Sequence, residues 1–199
     1  HSPTLFPYTT LFRSIQSRLR HNILIMPKEI REATGILIFG RRIKSLVFTT
    51  DLAIIKNCDA DAVFAVYPFT PQQSISDAII RAAAVPVFTG IGGGITKGLR
   101  SVRLAKDAES QGAFGVVLNA PTSNRDLKLV ATSIDIPVVI TVTGERSDIR
   151  DRLRHGASII NVAAGERTPD IVRMIDAKYP DVPIIASGGN TPESIRETI

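Results

Sequence analysis

From residue 43 onward, short apolar runs alternate with segments whose apolar positions recur at helical spacing. The runs are 43–48, 62–67, 85–88, 115–118, 137–141, 159–162 and 183–186. Each is β-branched or aromatic and nearly continuous in apolar residues, the pattern of a parallel strand buried on both faces. Between them Ile75, Ile79, Ile80 and Ala83 share one helical face, as do Leu127, Val130 and Ile134, and then Ile171, Met174 and Ile175. Thr70-Pro71, Thr168-Pro169 and Thr191-Pro192 each place a capping hydroxyl before a proline, which predicts three helix starts. Gln73 completes a capping box with Thr70.

The alternation carries a rhythm of two. Val85-Pro86, Ile136-Pro137 and Val182-Pro183 open the third, fifth and seventh runs, whereas Gly112-Ala113 and Gly156-Ala157 precede the fourth and sixth. A strand–helix repeat of this kind predicts an α/β fold, a (βα)8 barrel of parallel strands with outer helices. No dinucleotide fingerprint follows the first run, which argues against an open doubly wound sheet. Only seven strands are counted, so the barrel is expected to be truncated after strand seven, lacking the eighth βα unit. Its first and last strands would then present open edges, which invites homo-oligomerisation. Three regions follow: 1–14, 15–42 as an N-terminal extension with a barrel-bottom helix at 27–33, and 43–199 as the incomplete barrel. The apolar segment 36–39 either covers the barrel bottom or pairs as an extra strand.

Composition changes this picture little. The chain has 199 residues, 44% apolar and 22% charged, with a net charge of +5, as expected of one globular domain. Lys and Arg are scattered, and the one tight group, Arg41, Arg42 and Lys44, reads as a solvated barrel bottom rather than a nucleic-acid contact. No apolar run approaches a membrane span. Cys58 is the only cysteine and reads as a structural thiol, so a reducing cytoplasm is the expected compartment. His1, His21 and His155 lack metal-ligand spacing, and no metal site is predicted. Thr4-Leu-Phe-Pro-Tyr-Thr-Thr-Leu-Phe-Arg-Ser14 resembles the in-frame translation of a sequencing adapter. Residues 1–14 are therefore set aside as non-native, with Met26 as the expected natural start.

In a barrel the chemistry lies just after each strand, at the C-terminal face. These positions hold mostly hydroxyls, amides and glycines: Thr49, Thr50, Tyr67, Gly92, Gly93, Asn119, Thr141 and Asn161 as pocket candidates. Such a set suits an oxygen-rich small molecule better than a divalent cation. Asp51 is the leading acid–base candidate, with capping of the helix 52–57 as its structural alternative. Glu145 is a candidate second carboxylate, or an exposed loop charge beside Arg146. Lys97, after the triple glycine, is a candidate phosphate contact or amine nucleophile. The order Thr96-Lys97-Gly98 does not match a nucleotide phosphate loop, and 92–98 reads instead as a flexible lid. The most informative stretch is Ser187-Gly188-Gly189-Asn190-Thr191-Pro192-Glu193: a double glycine opening a helix, which suits a phosphate or carboxylate. Gly165 adds a further close backbone approach, and a ligand-free tight turn is the alternative.

On Gly156-Ala-Ser-Ile-Ile-Asn-Val162, Pro183-Ile-Ile-Ala-Ser-Gly-Gly189 and Thr191-Pro-Glu-Ser-Ile195, the chain resembles the phosphate-binding (βα)8 barrels. These include ribulose-phosphate-binding enzymes and 2-keto-3-deoxy-phosphogluconate aldolases. Gly40-Arg-Arg-Ile-Lys-Ser-Leu-Val-Phe-Thr-Thr-Asp51 and Ala65-Val-Tyr-Pro-Phe-Thr-Pro71 resemble a group of bacterial barrel proteins often labelled only "hydrolase". The aldolases place a Schiff-base lysine on strand six, where this chain has Asn161, so the resemblance does not extend to that mechanism. It implies a small-molecule enzyme acting on a phosphorylated or carboxylated metabolite by lyase, isomerase or hydrolase chemistry. The alternatives are a ligand-binding barrel without catalysis and an FMN-binding oxidoreductase, since flavin barrels also hold a phosphate at such a double glycine. No cofactor is otherwise predicted.

Overall fold

Continuous β-branched runs become strands here because each faces the barrel interior on one side and a helix on the other. The computed structural model describes residues 22–199, so the adapter-like segment and the start of the 15–42 extension lie outside the described residues. A 3-10 turn at Lys28–Glu32 leads into strands β1 (Ile36–Ile38) and β2 (Arg41–Ile43). Then follow β3 (Leu46–Phe48), α1 (Leu52–Lys56), β4 (Ala62–Ala65), α2 (Gln73–Ala82), β5 (Val87–Gly92) and α3 (Leu99–Ser110). The second half comprises β6 (Gly115–Leu118), α4 (Asn124–Ala131), β7 (Val138–Val142), α5 (Ile149–Arg154) and β8 (Ile159–Val162). It ends with a 3-10 turn (Gly165–Arg167), α6 (Thr168–Lys178), β9 (Ile184–Ala186) and α7 (Pro192–Thr198).

Strands β3 to β9 form one seven-stranded sheet in chain order, and every adjacent pair is parallel. The sheet curls with helices outside it: a TIM-barrel architecture of seven strands with a seam between β3 and β9. Phe64, Phe88, Val117, Val139, Ile159 and Ile185 fill the interior. On the outer side Val116, Leu118, Ile140 and Ile160 pack with Leu127, Val130, Ile171 and Ile175 of the helices. Burying each such side chain is worth about 2 kcal/mol, so the helical stripes are held by tertiary contact rather than by propensity. Gly115 has no room for a side chain: a Cβ there would lie 2.8 Å from Phe88 Cδ1.

The first predicted strand, 43–48, is two elements. Asp61 accepts the backbone amides of Lys44 and Ser45 at 2.9 and 3.0 Å and turns the chain between them. Ile43 therefore ends β2, and β3 begins at Leu46. Segment 36–39 does both things open to it. Its residues 36–38 pair antiparallel with β2, and Ile38 and Ile43 plug the bottom of the barrel interior. The basic group serves this plug: the Arg41 guanidinium lies 6.0 Å from the Phe114 ring centroid, while Arg42 and Lys44 donate to the carbonyls of Thr34 and Arg31.

Two predicted caps are also corrected. Helix α2 starts at Gln73 behind Gln72, and no capping box joins Thr70 to Gln73. The Tyr67 hydroxyl accepts the Gln72 amide at 2.9 Å, and Gln73 bonds Asp107 instead. Thr168 is the first residue of α6, not its cap, and its hydroxyl is used elsewhere. Thr191 does cap α7, in a reciprocal box with Ser194.

Across the seam, α7 packs on the 3-10 turn at 28–32. There Arg196 Nη2 donates to Glu29 Oε1 at 3.1 Å, and the Glu29 side chain is only 5% exposed. This buried carboxylate ties the last helix to the first turn.

Candidate functional site

The C-terminal ends of the strands form the mouth, because the strands are parallel and every strand-to-helix loop leaves at that end. Thr141, Asn161 and Ser187 stand at the ends of β7, β8 and just past β9, on the inward-facing alternation. They form one hydrogen-bonded row. Asn161 Nδ2 donates to Thr141 Oγ1 at 3.2 Å, and Ser187 Oγ donates to Asn161 Oδ1 at 3.1 Å. Asn161 is 2% exposed, so both bonds matter for its burial. The row fixes the amide's orientation and supplies polar groups without net charge.

Beside the row lies the double glycine. The Ser187 amide donates to the Val162 carbonyl, but the amides of Gly188, Gly189 and Asn190 donate to no acceptor among the described residues. Gly188 at φ 140° and Gly189 at φ 85° adopt backbone that side-chain-bearing residues rarely take. The loop is held from below by Thr168, which the sequence predicts only as a helix cap. Thr168 Oγ1 accepts the Ala164 amide at 3.1 Å and donates to the Ser187 carbonyl at 3.2 Å. Gly165 joins from the neighbouring loop: its carbonyl lies 3.7 Å from where a Gly188 Cβ would sit. Ser187, Gly188, Gly189, Asn190 and Gly165 are thus brought together with Thr141 and Asn161. A Thr placed between one glycine loop and the next strand was the available signal for Thr168.

A second group gathers around β4, β5 and β6. Tyr67, Gly92, Gly93 and Asn119 line a cleft of about 270 Å³ with Val66 and Phe69. The expected flexible lid is instead stitched down. Gly93 N donates to Thr96 O, Gly94 N to Pro121 O, and Asn119 N to Gly92 O. A Cβ on Gly93 would lie 2.4 Å from Asn119 O, so glycine is what permits this close approach. Lys97, at the far end of the loop, lines a different cleft of about 870 Å³ with Leu99, Arg125, Asp126 and Leu129. It is not among the residues lining the cleft of Tyr67 and Asn119.

Asp51 takes its structural role. Oδ1 accepts the amides of Ala53 and Ile54 at 2.7 and 3.3 Å, and the Asp51 amide donates to Thr49 Oγ1 at 3.1 Å. Both cap bonds go to one oxygen, so Oδ2 has no partner among the described residues. Thr50, next to it, is half-buried. Glu145 is paired with Arg167 across the loops after β7 and β8, both side chains being more than half exposed. The Glu145 hydrogen bond and charge push the Arg167 guanidinium upward from its ordinary value, with Asp170 adding a little. Sheet order puts three strands between the Asp51 and Glu145 loops, so the two carboxylates are not neighbours on the rim. Among the described residues no group of three or more His, Cys, Asp or Glu converges as a metal site. No helix there is long and apolar enough to cross a membrane.

No family model matches the chain, and no curated protein matches it. Solved structures do. A phosphonomutase from Burkholderia cenocepacia J2315, described as putative, superposes with a TM-score of 0.58 at 15% identity, over 77% of this chain and 82% of that one. A phosphonopyruvate hydrolase in complex with oxalate and Mg++ gives a TM-score of 0.57 at 13% identity, over 73% and 67%. A dihydrodipicolinate synthetase from Pseudomonas aeruginosa, likewise described as putative, gives 0.52 at 14%, over 65% of this chain and 53% of that one. The chain thus spans about half the length of this synthetase. At these identities the likeness establishes the TIM-barrel fold alone.

Proposed function

We propose that the protein binds a small phosphorylated or carboxylated metabolite at the mouth formed by the loops after β7, β8 and β9, and acts on it as an enzyme. One observation carries this reading: three successive backbone amides, Gly188 to Asn190, have no acceptor among the described residues and adjoin the neutral Thr141–Asn161–Ser187 row. Backbone donors left without an acceptor in a glycine loop favour an anion without requiring a cation. The hydrogen-bonded row suits the hydroxyl or carbonyl oxygens of the rest of the molecule. The chemistry would be a lyase, isomerase or hydrolase step, with Asp51 moving a proton through Oδ2 while Oδ1 keeps its cap. One neighbour, the phosphonopyruvate hydrolase in complex with oxalate and Mg++, is named for a small anion and holds another, which agrees with the proposed ligand class.

A non-catalytic binding barrel is the second reading. It is favoured by the engagement of Asp51 in capping and by the placement of Lys97 in another cleft.

The test is a thermal-shift screen of the full chain against phosphosugars, small carboxylates, oxalate and FMN, followed by turnover assays on any ligand that stabilises. Stabilisation by phosphorylated or carboxylated compounds is the expected result. A screen in which no anion raises Tm would refute the anion mouth. Turnover lost in Asp51→Asn with ligand binding retained would support catalysis, whereas undetectable turnover with every binder would leave the binding barrel. FMN binding with a yellow product would replace both readings with a flavin enzyme.

A further inference from the structure

The cations are scattered along the sequence, but the fold gathers an unpaired set at one part of the rim. Lys97, Arg100 and Arg125 stand exposed at the N-terminal ends of α3 and α4, and none forms an ion pair among the described residues. The group Arg41, Arg42 and Lys44, by contrast, is engaged in the barrel-bottom plug. Among the described residues Asp126 is the one carboxylate lining either cleft of this region. It accepts the Gly98 amide at 3.0 Å and the Ser123 hydroxyl at 2.7 Å, and so serves the loops rather than a cation.

Large apolar side chains stand beside these cations. Phe69, Ile95 and Leu99 are 75%, 89% and 68% exposed. Single exposed apolar residues are ordinary, but these three belong to one rim. The cleft of Phe69 and Ile95 and the cleft of Lys97, Leu99 and Arg125 share Gly93, Gly94 and Thr96. Ile95 is displayed by a pinned turn: Gly93 and Thr96 exchange backbone bonds at 3.0 and 3.3 Å, and the Gly94 amide donates to the Pro121 carbonyl at 2.7 Å. An isoleucine at the tip of such a turn loses little conformational entropy when a partner covers it.

We propose that this rim docks on the surface of an anionic lipid bilayer. Phe69, Ile95 and Leu99 enter the headgroup layer, and Lys97, Arg100 and Arg125 meet the lipid anions. The proposal is independent of the anion mouth on the loops after β7, β8 and β9. A bilayer complements both the charges and the apolar tips. A nucleic acid would neutralise the cations, but single strands are held by aromatic stacking, and Ile95 and Leu99 offer no stacking face. A second copy of the chain in a two-fold contact would bring like charges together.

The experiment sediments the full chain with vesicles of two parts phosphatidylcholine to one part phosphatidylserine, and with vesicles of phosphatidylcholine alone, following the Tm of each variant. Wild type is expected to bind the anionic vesicles, to leave them as salt rises, and to bind the neutral ones little. Lys97→Gln/Arg100→Gln/Arg125→Gln should weaken binding about a hundredfold, at about fivefold per cation. Phe69→Ser/Ile95→Ser should weaken it about tenfold with Tm unchanged, because both side chains are exposed. Lys28→Gln/Lys56→Gln/Arg154→Gln removes the same net charge from exposed, unpaired sites elsewhere, two of them the last residues of α1 and α5, and should bind as wild type. The proposal falls if wild type does not sediment with the anionic vesicles, or if this second triple variant loses as much binding as the first. Unchanged binding in Phe69→Ser/Ile95→Ser would overturn it as well. A labelled single-stranded RNA that binds more tightly than the vesicles, and is released in the Lys97/Arg100/Arg125 variant, would make the rim a nucleic-acid face instead.

Discussion

Asn161 offers the sharpest check on the mouth, because its amide is buried and both its polar ends are used. Asn161→Ala removes one donor to Thr141 and one acceptor from Ser187. At about 1 kcal/mol per bond, the expected loss is about 2 kcal/mol, independent of pH. Asn161→Asp keeps the shape and the acceptor for Ser187, and the Thr141 hydroxyl can rotate to donate to the new oxygen. Its cost is then the burial of a charge at a position 2% exposed, which raises the folded-state pKa of the new carboxyl. Below the unfolded value of about 3.9, both states are protonated and the penalty vanishes. As pH rises from there to the folded pKa, stability falls by about 1.4 kcal/mol per pH unit and is constant above it. A rise of about two units would cost about 2.7 kcal/mol at neutral pH, or about 5–11 °C in Tm. Thermal melts of wild type and both variants from about pH 4 to about pH 8 measure this directly. A pH-independent loss in Asn161→Asp, or no loss at all, would show that residue 161 is solvated and that the row does not form.

Three further predictions follow from other parts of the fold. Arg196→Ala leaves the Glu29 carboxylate buried without its partner and should cost about 2–3 kcal/mol, which Glu29→Gln in the same chain should largely restore; equal melting losses in the single and double variants would refute the seam clasp. The Asp59 carboxyl is held below its ordinary value, chiefly by the Met26 amide at 2.7 Å and then by Arg31. That contribution is present above about pH 3.8 and lost as pH falls through the lower folded value, so Asp59→Asn should flatten the acid limb of a stability–pH curve; an unchanged limb would count against it. Gly115→Ala drives a Cβ to 2.8 Å from Phe88 Cδ1 and should cost about 1–3 kcal/mol, with Phe88→Leu relieving the clash in a double-mutant cycle.

What the sequence determined by itself is the alternation. Burial on both strand faces and on one helical stripe writes a period into the residues, so β6 and β8 fall where the apolar runs predict them. The glycine loop and the Thr191 cap were legible for the same reason: a positive φ and an N-terminal hydroxyl are demands of the local backbone. Asp51 was legible as a cap, but that both cap bonds use one oxygen and leave the other over is a matter of the folded loop. The tertiary structure alone decided the rest, through contacts between residues distant in the chain. Asp61 splits the first apolar run by taking two amides 16 and 17 residues away. Thr168 binds Ser187, Glu145 meets Arg167, and Arg196 reaches Glu29, none of which has a periodic signature. Lys97 shares a loop with Gly92 and Gly93 yet lines another cleft with Arg125, because the loop is pinned at Thr96 and Pro121 before the lysine emerges. Periodicity reports which side of an element is buried. Which polar groups meet at the mouth depends on the curl and register of the seven strands, and these are properties of the whole sheet rather than of any one segment.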